Sequence, residues 1–471
     1  MSTFAGLTTS YTGLSAARAA IELAGQNITN VHTPGYTRQR VDLSANPALG
    51  TVGVLALPRS GAGQGVTVTG ISRLADDLLT ASVRTASAAA GYHASRSDLL
   101  AQLEDGLHEP GANGLSAQLQ EFWASWQDLG NAAGDGAAAA VVIEEATALA
   151  SRIGEGYRAV ADQWKAARAD AAAMVEDVNQ AAARVAELND VIRRTSLGGG
   201  SVNELLDERD RVAGDLAALA GGVVHDRGDG TVDVLVAGNP VVAGTVAHRV
   251  ALAGPTTPGG GPVQLEWERR PGTPIALDGG ALAGTVSMLA PASGGSGGPL
   301  AEALASYDAF ATTLAAQVNA VHRQGVTTTG ATGLDFFATD PALPPALGLR
   351  VVPTGADGIA AAAPGAGALD GSNADRIAQL AKGAGSPDAV WSAFVARVGV
   401  TAGAEHDRAA VTELGRASAL ARQLSTSSVD LDEENLNLVA AQTAYQGAAR
   451  VFTAIDEMLD VLVNRTGLVG R

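Results

Sequence analysis

The sequence contains no cysteine among its 471 residues. Disulfide bonds, thiol catalysis and thiolate metal sites are therefore excluded. Aromatic residues make up only 4% of the chain, which disfavours one large enzyme core rich in aromatic rings. No run of about 18 apolar residues is present, so we expect no membrane-spanning helix. The first residues show no basic stretch followed by an apolar one, so we expect no cleaved secretory signal.

Basic residues are also scarce. The chain has 31 lysines and arginines against 49 acidic residues, a formal net charge of −18. Nucleic acids and anionic membranes attract basic surfaces, so neither is expected as a partner. The seven histidines show no metal-binding spacing, and no glycine motif for phosphate binding is found. We therefore expect no metal and no cofactor.

What the sequence does contain is a heptad repeat of apolar residues at each end, the pattern of helices that pack along one another. The repeat consists of Leu7, Leu14, Ile21 and Ile28 near the N-terminus and of Leu431, Leu438, Tyr445, Phe452 and Leu459 near the C-terminus, with Ile455 and Leu462 on a second strip. Segment 1–42 carries a charge of +1 and segment 429–471 carries −4, which modestly favours pairing. We expect helices over 4–31 and 429–463 that pair in a parallel or antiparallel arrangement.

The remaining periodicity predicts a mainly α-helical protein with a small inserted β domain. Helical patterns cover 73–105, 114–129, 153–192, 202–222, 299–323, 374–383 and 386–425. An Asp229-Gly230 turn signal precedes valines at alternate positions, which predicts a β-hairpin. The expected segments are a terminal helix and linker at 1–42, a helical body at 43–222, a β domain at 223–298, the return part of the body at 299–428 with a loop-rich stretch at 326–370, and a second terminal helix at 429–471.

The stretch QNITNVHTPGYTRQR, residues 26–40, ends the first terminal helix. Asn30 tolerates a left-handed helix cap, and Pro34 cannot continue a helix. Its polar residues therefore have an ordinary interpretation as a helix stop, and a family resemblance adds a second one.

Residues 24–39, AGQNITNVHTPGYTRQ, resemble the N-terminal signature of bacterial flagellar axial proteins, the rod, hook and hook-associated subunits. Residues 429–464 resemble the C-terminal helix of those proteins, with Gly447 where alanine is common. Interior stretches such as NELLDERD at 203–210, VNAVHRQG at 318–325 and DFF at 335–337 are similar to the hook-associated protein 1 family.

This resemblance implies a structural, non-enzymatic subunit of a ring between the hook and the filament. It implies export through the flagellar type III channel to the cell exterior without a cleaved signal. The implied partners are further copies of the chain, the hook protein, the second junction protein and a cytoplasmic export chaperone on the C-terminal helix. The expected assembly interface comprises the apolar heptad residues named above together with Asn27, Asn30, Pro34, Gly35, Tyr36 and Arg38.

Two alternatives remain open. Another axial subunit, such as a hook, rod or second junction protein, would share the two ends, but the long helical stretch 73–222 argues against it. An adhesin or hydrolase that uses the β domain is an alternative of a different class. Its one apparent motif, RGD at 227–229, overlaps the hairpin signal and is expected to be a plain turn.

Overall fold

The computed structural model describes residues 3–47 and 63–465. In chain order the helices are α1 (Thr3–Asn30), α2 (Asp77–Leu107), α3 (Leu115–Asn131), α4 (Gly136–Leu197), α5 (Asn203–Ala220), α6 (Gly280–Met288), α7 (Pro299–His322), α8 (Pro345–Gly348), α9 (Ser372–Ala378), α10 (Pro387–Ser427) and α11 (Leu431–Asp460). The strands are β1 (Gln39–Ala45), β2 (Val66–Arg73), β3 (Val223–Asp226), β4 (Val232–Val236), β5 (Asn239–Ala243), β6 (Val246–Ala247), β7 (Val250–Ala253), β8 (Gln264–Trp267), β9 (Arg270–Ile275), β10 (Phe337–Thr339) and β11 (Leu349–Val351). The prediction of a mainly helical fold with a small β insert is confirmed.

Helix α4 is the longest element of the body. Its 62 residues span about 93 Å at 1.5 Å per residue. The sequence pattern placed its start near residue 153, but the helix begins at Gly136, where the side chain of Asp135 accepts a hydrogen bond from Ala137 N. The buried stripe continues upstream of Ile153 through Leu149, Ala146, Val142 and Ala139 in the same steps of three and four, so the sequence carried this signal, and only the first turn, GAAAA, lacks a large apolar residue.

Aromatic residues concentrate in the core of the body, between α3, α4, α7 and α10. The largest fully buried side chains there are Phe122, Trp126, Trp164, Phe310, Phe336, Phe337 and Trp391. Trp123 is 5% exposed and donates its ring N–H to Asp388 at 2.8 Å. The predicted core role of the three tryptophans at 123, 126 and 164 is confirmed.

The β part consists of a four-stranded antiparallel sheet in the order β3-β4-β5-β6 and a three-stranded sheet in the order β7-β8-β9. The predicted hairpin is present, since β4 pairs with β3 and buries alternate valines. Two buried asparagines of α4 hold the sheets: Asn179 exchanges two hydrogen bonds of 2.9 Å with the backbone of Val250, and Asn189 donates to Val232 O at 2.8 Å. The RGD stretch forms the β3–β4 turn, in which Arg227 pairs with Asp233 at 3.0 Å.

The strands of the β part end at Ile275, although the predicted β domain extends to residue 298. Gly280–Met288 is instead a helix, α6, and it packs on α2, where Ser95 Oγ donates to Ala281 O at 3.0 Å. The β prediction is wrong here because Ala, Gly, Thr and Val in this stretch show no apolar stripe of helical period. Gly284 suits a close helix crossing, since an added Cβ would lie 2.4 Å from Tyr92 O.

Candidate functional site

The two terminal helices, α1 and α11, pack against each other and form the terminal helix pair. A Cβ built on Gly6 would lie 3.0 Å from Ile455 Cδ1, and one built on Gly13 would lie 3.9 Å from Ala448 Cβ. Asn27 contacts Glu434 further along. The two residue numbers in each contact add to 461, so the helices run antiparallel in one constant register. The sequence had left the direction open.

Small residues form the line of contact between the two helices. We call this line the terminal seam; it runs through Gly6, Gly13, Ala20 and Asn27 of α1 and through Glu434, Ala441, Ala448 and Ile455 of α11. The predicted α1 strip of leucines and isoleucines lies one position beside it. The large apolar residues did not mark the line of contact, because two helices approach most closely where side chains are small.

The predicted apolar residues on and beside the terminal seam are only partly covered. Leu7, Leu14, Ile21, Ile28, Leu438, Ile455 and Leu459 are half-buried, whereas Leu431, Tyr445, Phe452 and Leu462 are exposed. Tyr445 and Phe452 are each 37% exposed, and Leu462 is 53% exposed. The terminal helix pair therefore keeps large apolar side chains at its surface.

Asn27 is the centre of a buried hydrogen-bond network at the end of the terminal seam. Its amide group donates to Gln39 O at 3.0 Å and to Glu434 Oε2 at 3.1 Å. Its carbonyl oxygen accepts from Tyr36 Oη at 2.8 Å and from Gln39 N at 3.1 Å. With 1% of its surface exposed, Asn27 satisfies all four of these polar contacts inside the protein.

Arg38 joins the linker to the start of α11. Its guanidinium donates to Glu434 Oε1 at 2.8 Å and to Glu433 Oε2 at 2.7 Å. Its backbone N–H donates to Ser427 O at the end of α10 at 2.9 Å. Burial would lower the pKa of Arg38, but the two carboxylates outweigh burial and raise that pKa above its ordinary value. Arg40, by contrast, pairs with Asp42 of its own strand, at 3.6 Å.

The bend after α1 depends on Gly35, whose φ of 81° is in the left-handed region that favours glycine. Asn30 does not provide the left-handed cap that we predicted. It is the last residue of α1, and its side chain donates back to Gln26 O at 3.0 Å. Pro34 is exposed in the turn. Tyr36 is half-buried, and its burial and the carboxylates nearby raise the pKa of its hydroxyl to about 12.

Several residues of this network were not singled out from the sequence. Thr37 N donates to Asp207 Oδ2 at 2.9 Å, and Arg73 bridges Asp207 and Asp210 at 2.9 and 2.7 Å. Burial raises the pKa of Asp207, against the hydrogen bonds from Thr37 and Arg73. Arg84 of α2 also reaches Asp210, at 3.1 Å. The NELLDERD stretch thus supplies the acids that hold the linker to the body. In the sequence this stretch indicated only a family resemblance.

The motifs VNAVHRQG at 318–325 and DFF at 335–337 fold into one unit. Asn319 accepts from the backbone N–H groups of Phe336 and Phe337 at 2.9 and 2.8 Å and donates to Phe337 O at 2.8 Å. Arg323 forms two hydrogen bonds with Asp335. These residues close a loop over the aromatic core and are not part of the terminal helix pair.

In the part of the chain that the structure describes, no group of three or more histidine and acidic side chains is placed to hold a metal ion. Across 3–47 and 63–465, none of the helices has both the length and the apolar character needed to cross a bilayer.

Comparisons with known proteins place the chain in one family. A family model described as the flagellar hook-associated protein FlgK helical domain matches residues 100–337, and one described as the flagellar basal body rod FlgEFG protein C-terminal matches residues 421–465. Flagellar hook-associated protein 1 of Bacillus subtilis (strain 168) is 30% identical over 100% of both chains. The protein of that name from Escherichia coli (strain K12) is 32% identical over 243 residues, 51% of this chain and 43% of that protein.

A solved structure shares the fold. The flagellar hook junction protein FlgK from Burkholderia pseudomallei superposes with a TM-score of 0.64 at 16% identity, covering 74% of this chain and 100% of that one. Together with the full-length relative and the family-model matches, these likenesses give the protein a structural role in the bacterial flagellum. The chain belongs to the flagellar hook-associated protein 1 family.

Proposed function

We propose that copies of this chain form a ring at the junction of hook and filament, and that their terminal helix pairs form the inner contacts of that ring. The observation that carries this proposal is the apolar surface beside the terminal seam. A surface helix pair with many exposed large apolar residues is typical of an interaction site.

Both flanks of the terminal seam on α11 contribute to this surface. One flank carries Leu431, Leu438, Tyr445, Phe452 and Leu459, and the other carries Ala444, Val451 and Met458. Val451 and Met458 are 52% and 53% exposed. A neighbouring copy on each side would cover both flanks, so each copy would gain apolar burial twice.

The proposal includes further partners and a location. The hook protein and the second junction protein would contact the ring from its two sides, and an export chaperone would cover the C-terminal helix before export. The chain would act outside the cell, exported without a cleaved signal, and its role would be architectural rather than enzymatic. Support for these points comes from family membership and from the exposed apolar face of α11.

The test adds the full-length protein to isolated hooks and counts capped hook ends by electron microscopy. Wild-type protein should cap the hooks, and the double variant Tyr445→Glu/Phe452→Glu should not. Leu414→Glu is the matched control because Leu414 is a 71% exposed apolar residue on α10, away from the terminal helix pair. Pro34→Ala/Gly35→Ala should also lose capping while the body stays folded. Equal capping by all four proteins would refute the proposal.

A further inference from the structure

A groove of about 640 Å³ lies on the body between α4 and β11. One wall is a stripe of α4 that ends at Arg158, and the other wall carries Arg350. Apolar side chains complete the second wall: Leu347, Leu349, Val351 and Pro353. The groove thus combines two cations with an apolar surface.

Both arginines of the groove are exposed and unpaired. Among the residues that the structure describes, neither Arg158 nor Arg350 has an ion pair or a side-chain hydrogen bond, in a chain with a net charge of −18. The acid in the groove lining, Glu155, lies 3.8 Å from Arg152. A carboxylate with an apolar neighbour is therefore the complementary ligand for this groove.

The C-terminal end of α2 offers that chemistry. Glu104 and Asp105 are exposed, and neither side chain has an ion pair or hydrogen bond to another described residue. Gly399 of α10 faces Glu104, since an added Cβ would lie 3.5 Å from Glu104 Oε1. The next residue, Val400, is 74% exposed. This patch therefore combines two exposed acids with an exposed valine that follows the glycine facing Glu104.

The acids and the groove lie at the same height on the bundle. Gln163 of α4 donates to Leu99 O of α2 at 2.8 Å. At the α5 end of the bundle, Arg84 of α2 and Arg184 of α4 both bond acids of α5. Arg84 precedes Leu99 in α2 whereas Arg184 follows Gln163 in α4, so the two helices run in opposite directions. Glu104 lies five residues after Leu99 in α2, and Arg158 lies five residues before Gln163 in α4. Because the helices are antiparallel, Glu104 and Arg158 lie at the same height.

The acids and the groove also lie on opposite sides of α4. Gln163, which faces α2, is nine residues from Gly154 in the groove, and nine residues correspond to two and a half helical turns. A ring of identical copies joins two different patches, one from each side of the subunit, at equal height. The acidic patch and the groove have this arrangement.

We infer that neighbouring copies contact each other through the body, with Glu104 and Asp105 of one copy bound by Arg158 and Arg350 of the next. Val400 packs against the apolar wall of the groove. The occupant of the groove is thus a second copy of this chain. This inference rests on the proposed function, because it requires that copies assemble side by side.

The lack of native cysteine allows a direct test by cross-linking. Full-length Glu104→Cys and Arg350→Cys proteins are mixed, allowed to cap isolated hooks and treated with a thiol-reactive bis-maleimide, because an arginine–glutamate ion pair holds the two backbones farther apart than a direct disulfide can bridge. Cross-linked dimers should exceed those of a control mixture by about tenfold, through the effective concentration within the ring. The control replaces Arg350→Cys with Arg269→Cys, an exposed arginine at the β8–β9 turn.

Charge reversal gives an independent readout. Arg158→Glu/Arg350→Glu and Glu104→Arg/Asp105→Arg should each raise the concentration needed to cap hooks by about tenfold, since like charges then meet. The chain with all four changes should recover wild-type capping. If wild-type protein caps hooks but the reversals have no effect and dimers match the control, the inference is overturned and the proposed function stands. If wild-type protein does not cap hooks, the proposed function fails and the inference fails with it.

Discussion

Asn27 and Asn30 lie three residues apart in α1 but differ in what they hold together. Asn27 bonds Tyr36, Gln39 and Glu434 from a buried position, whereas Asn30 bonds its own helix and turn. Asn27→Ala should lower the free energy of opening the end of α1 by about 1–3 kcal/mol, because it leaves buried partners unpaired. Amide hydrogen exchange in the last two turns of α1 measures this. Asn30→Ala is the control, and equal loss of protection in both variants would contradict the role of Asn27.

His322 predicts a pH dependence of stability. Its Nδ1 donates to Leu334 O at 2.8 Å and its Nε2 accepts from Ala360 N at 3.0 Å, so the buried ring is neutral. Burial lowers the pKa of His322 below its ordinary value of 6.5. Its contribution is complete above pH 6.5 and is lost as the pH falls, because the unfolded chain then binds a proton that the folded chain does not.

The measurement is the urea midpoint at about pH 7.5 and about pH 5.5. Wild-type protein should be less stable at the lower pH. His322→Gln should have a lower urea midpoint than wild type at both pH values, but its midpoint should fall less between about pH 7.5 and about pH 5.5. His32→Gln is the control, because His32 is exposed in the linker. A decrease of the same size in His322→Gln as in wild type would assign the pH dependence to another group.

At the scale of elements, Gly91 lies where α2 crosses α5 and α6. An added Cβ at Gly91 would lie 2.5 Å from Ala218 O and 3.1 Å from Ala281 N, both backbone atoms that cannot rotate away. Gly91→Ala should lower the free energy of unfolding by about 1–3 kcal/mol through overpacking. Gly106→Ala, in the same helix with nothing within 4 Å, should raise it by up to about 1 kcal/mol. Chemical unfolding curves measure the free energy of unfolding of both variants. If Gly91→Ala and Gly106→Ala changed it in the same direction, the close crossing at Gly91 would be contradicted.

The elements that could be predicted from the sequence are those whose large apolar residues follow one period. The α5 and α10 patterns and the alternating valines of β4 fall in this class. Helix α6 was missed because small residues carry little periodic signal, whereas the start of α4 continues the apolar stripe through Val142 and Leu149 and could have been predicted. The predicted contact line lay one position beside the terminal seam because glycine and alanine, not leucine, form most of that seam.

For the whole molecule, the pairing of the two ends could be predicted but its direction could not. Heptad patterns and a small charge difference fit either direction. The antiparallel register instead follows from the polar network, in which Asn27 and Arg38 both reach the start of α11. Those contacts span about 400 residues of chain, and the acids at Asp207 and Asp210 that complete the network come from a third element. Local sequence patterns do not encode such distances.

The register itself predicts a cross-link within one chain. The Cβ position of Gly13 lies 3.9 Å from Ala448 Cβ, within the range of about 3.5–4.5 Å that a disulfide requires. Gly13→Cys/Ala448→Cys should therefore form an intramolecular disulfide in dilute monomer, seen by mass and by a gel shift without reductant. Gly13→Cys/Ala441→Cys should not, because Ala441 lies one heptad, about 10 Å, along α11. If both variants stay reduced in the monomer and only the first cross-links on hooks, the terminal helix pair forms upon assembly rather than before it.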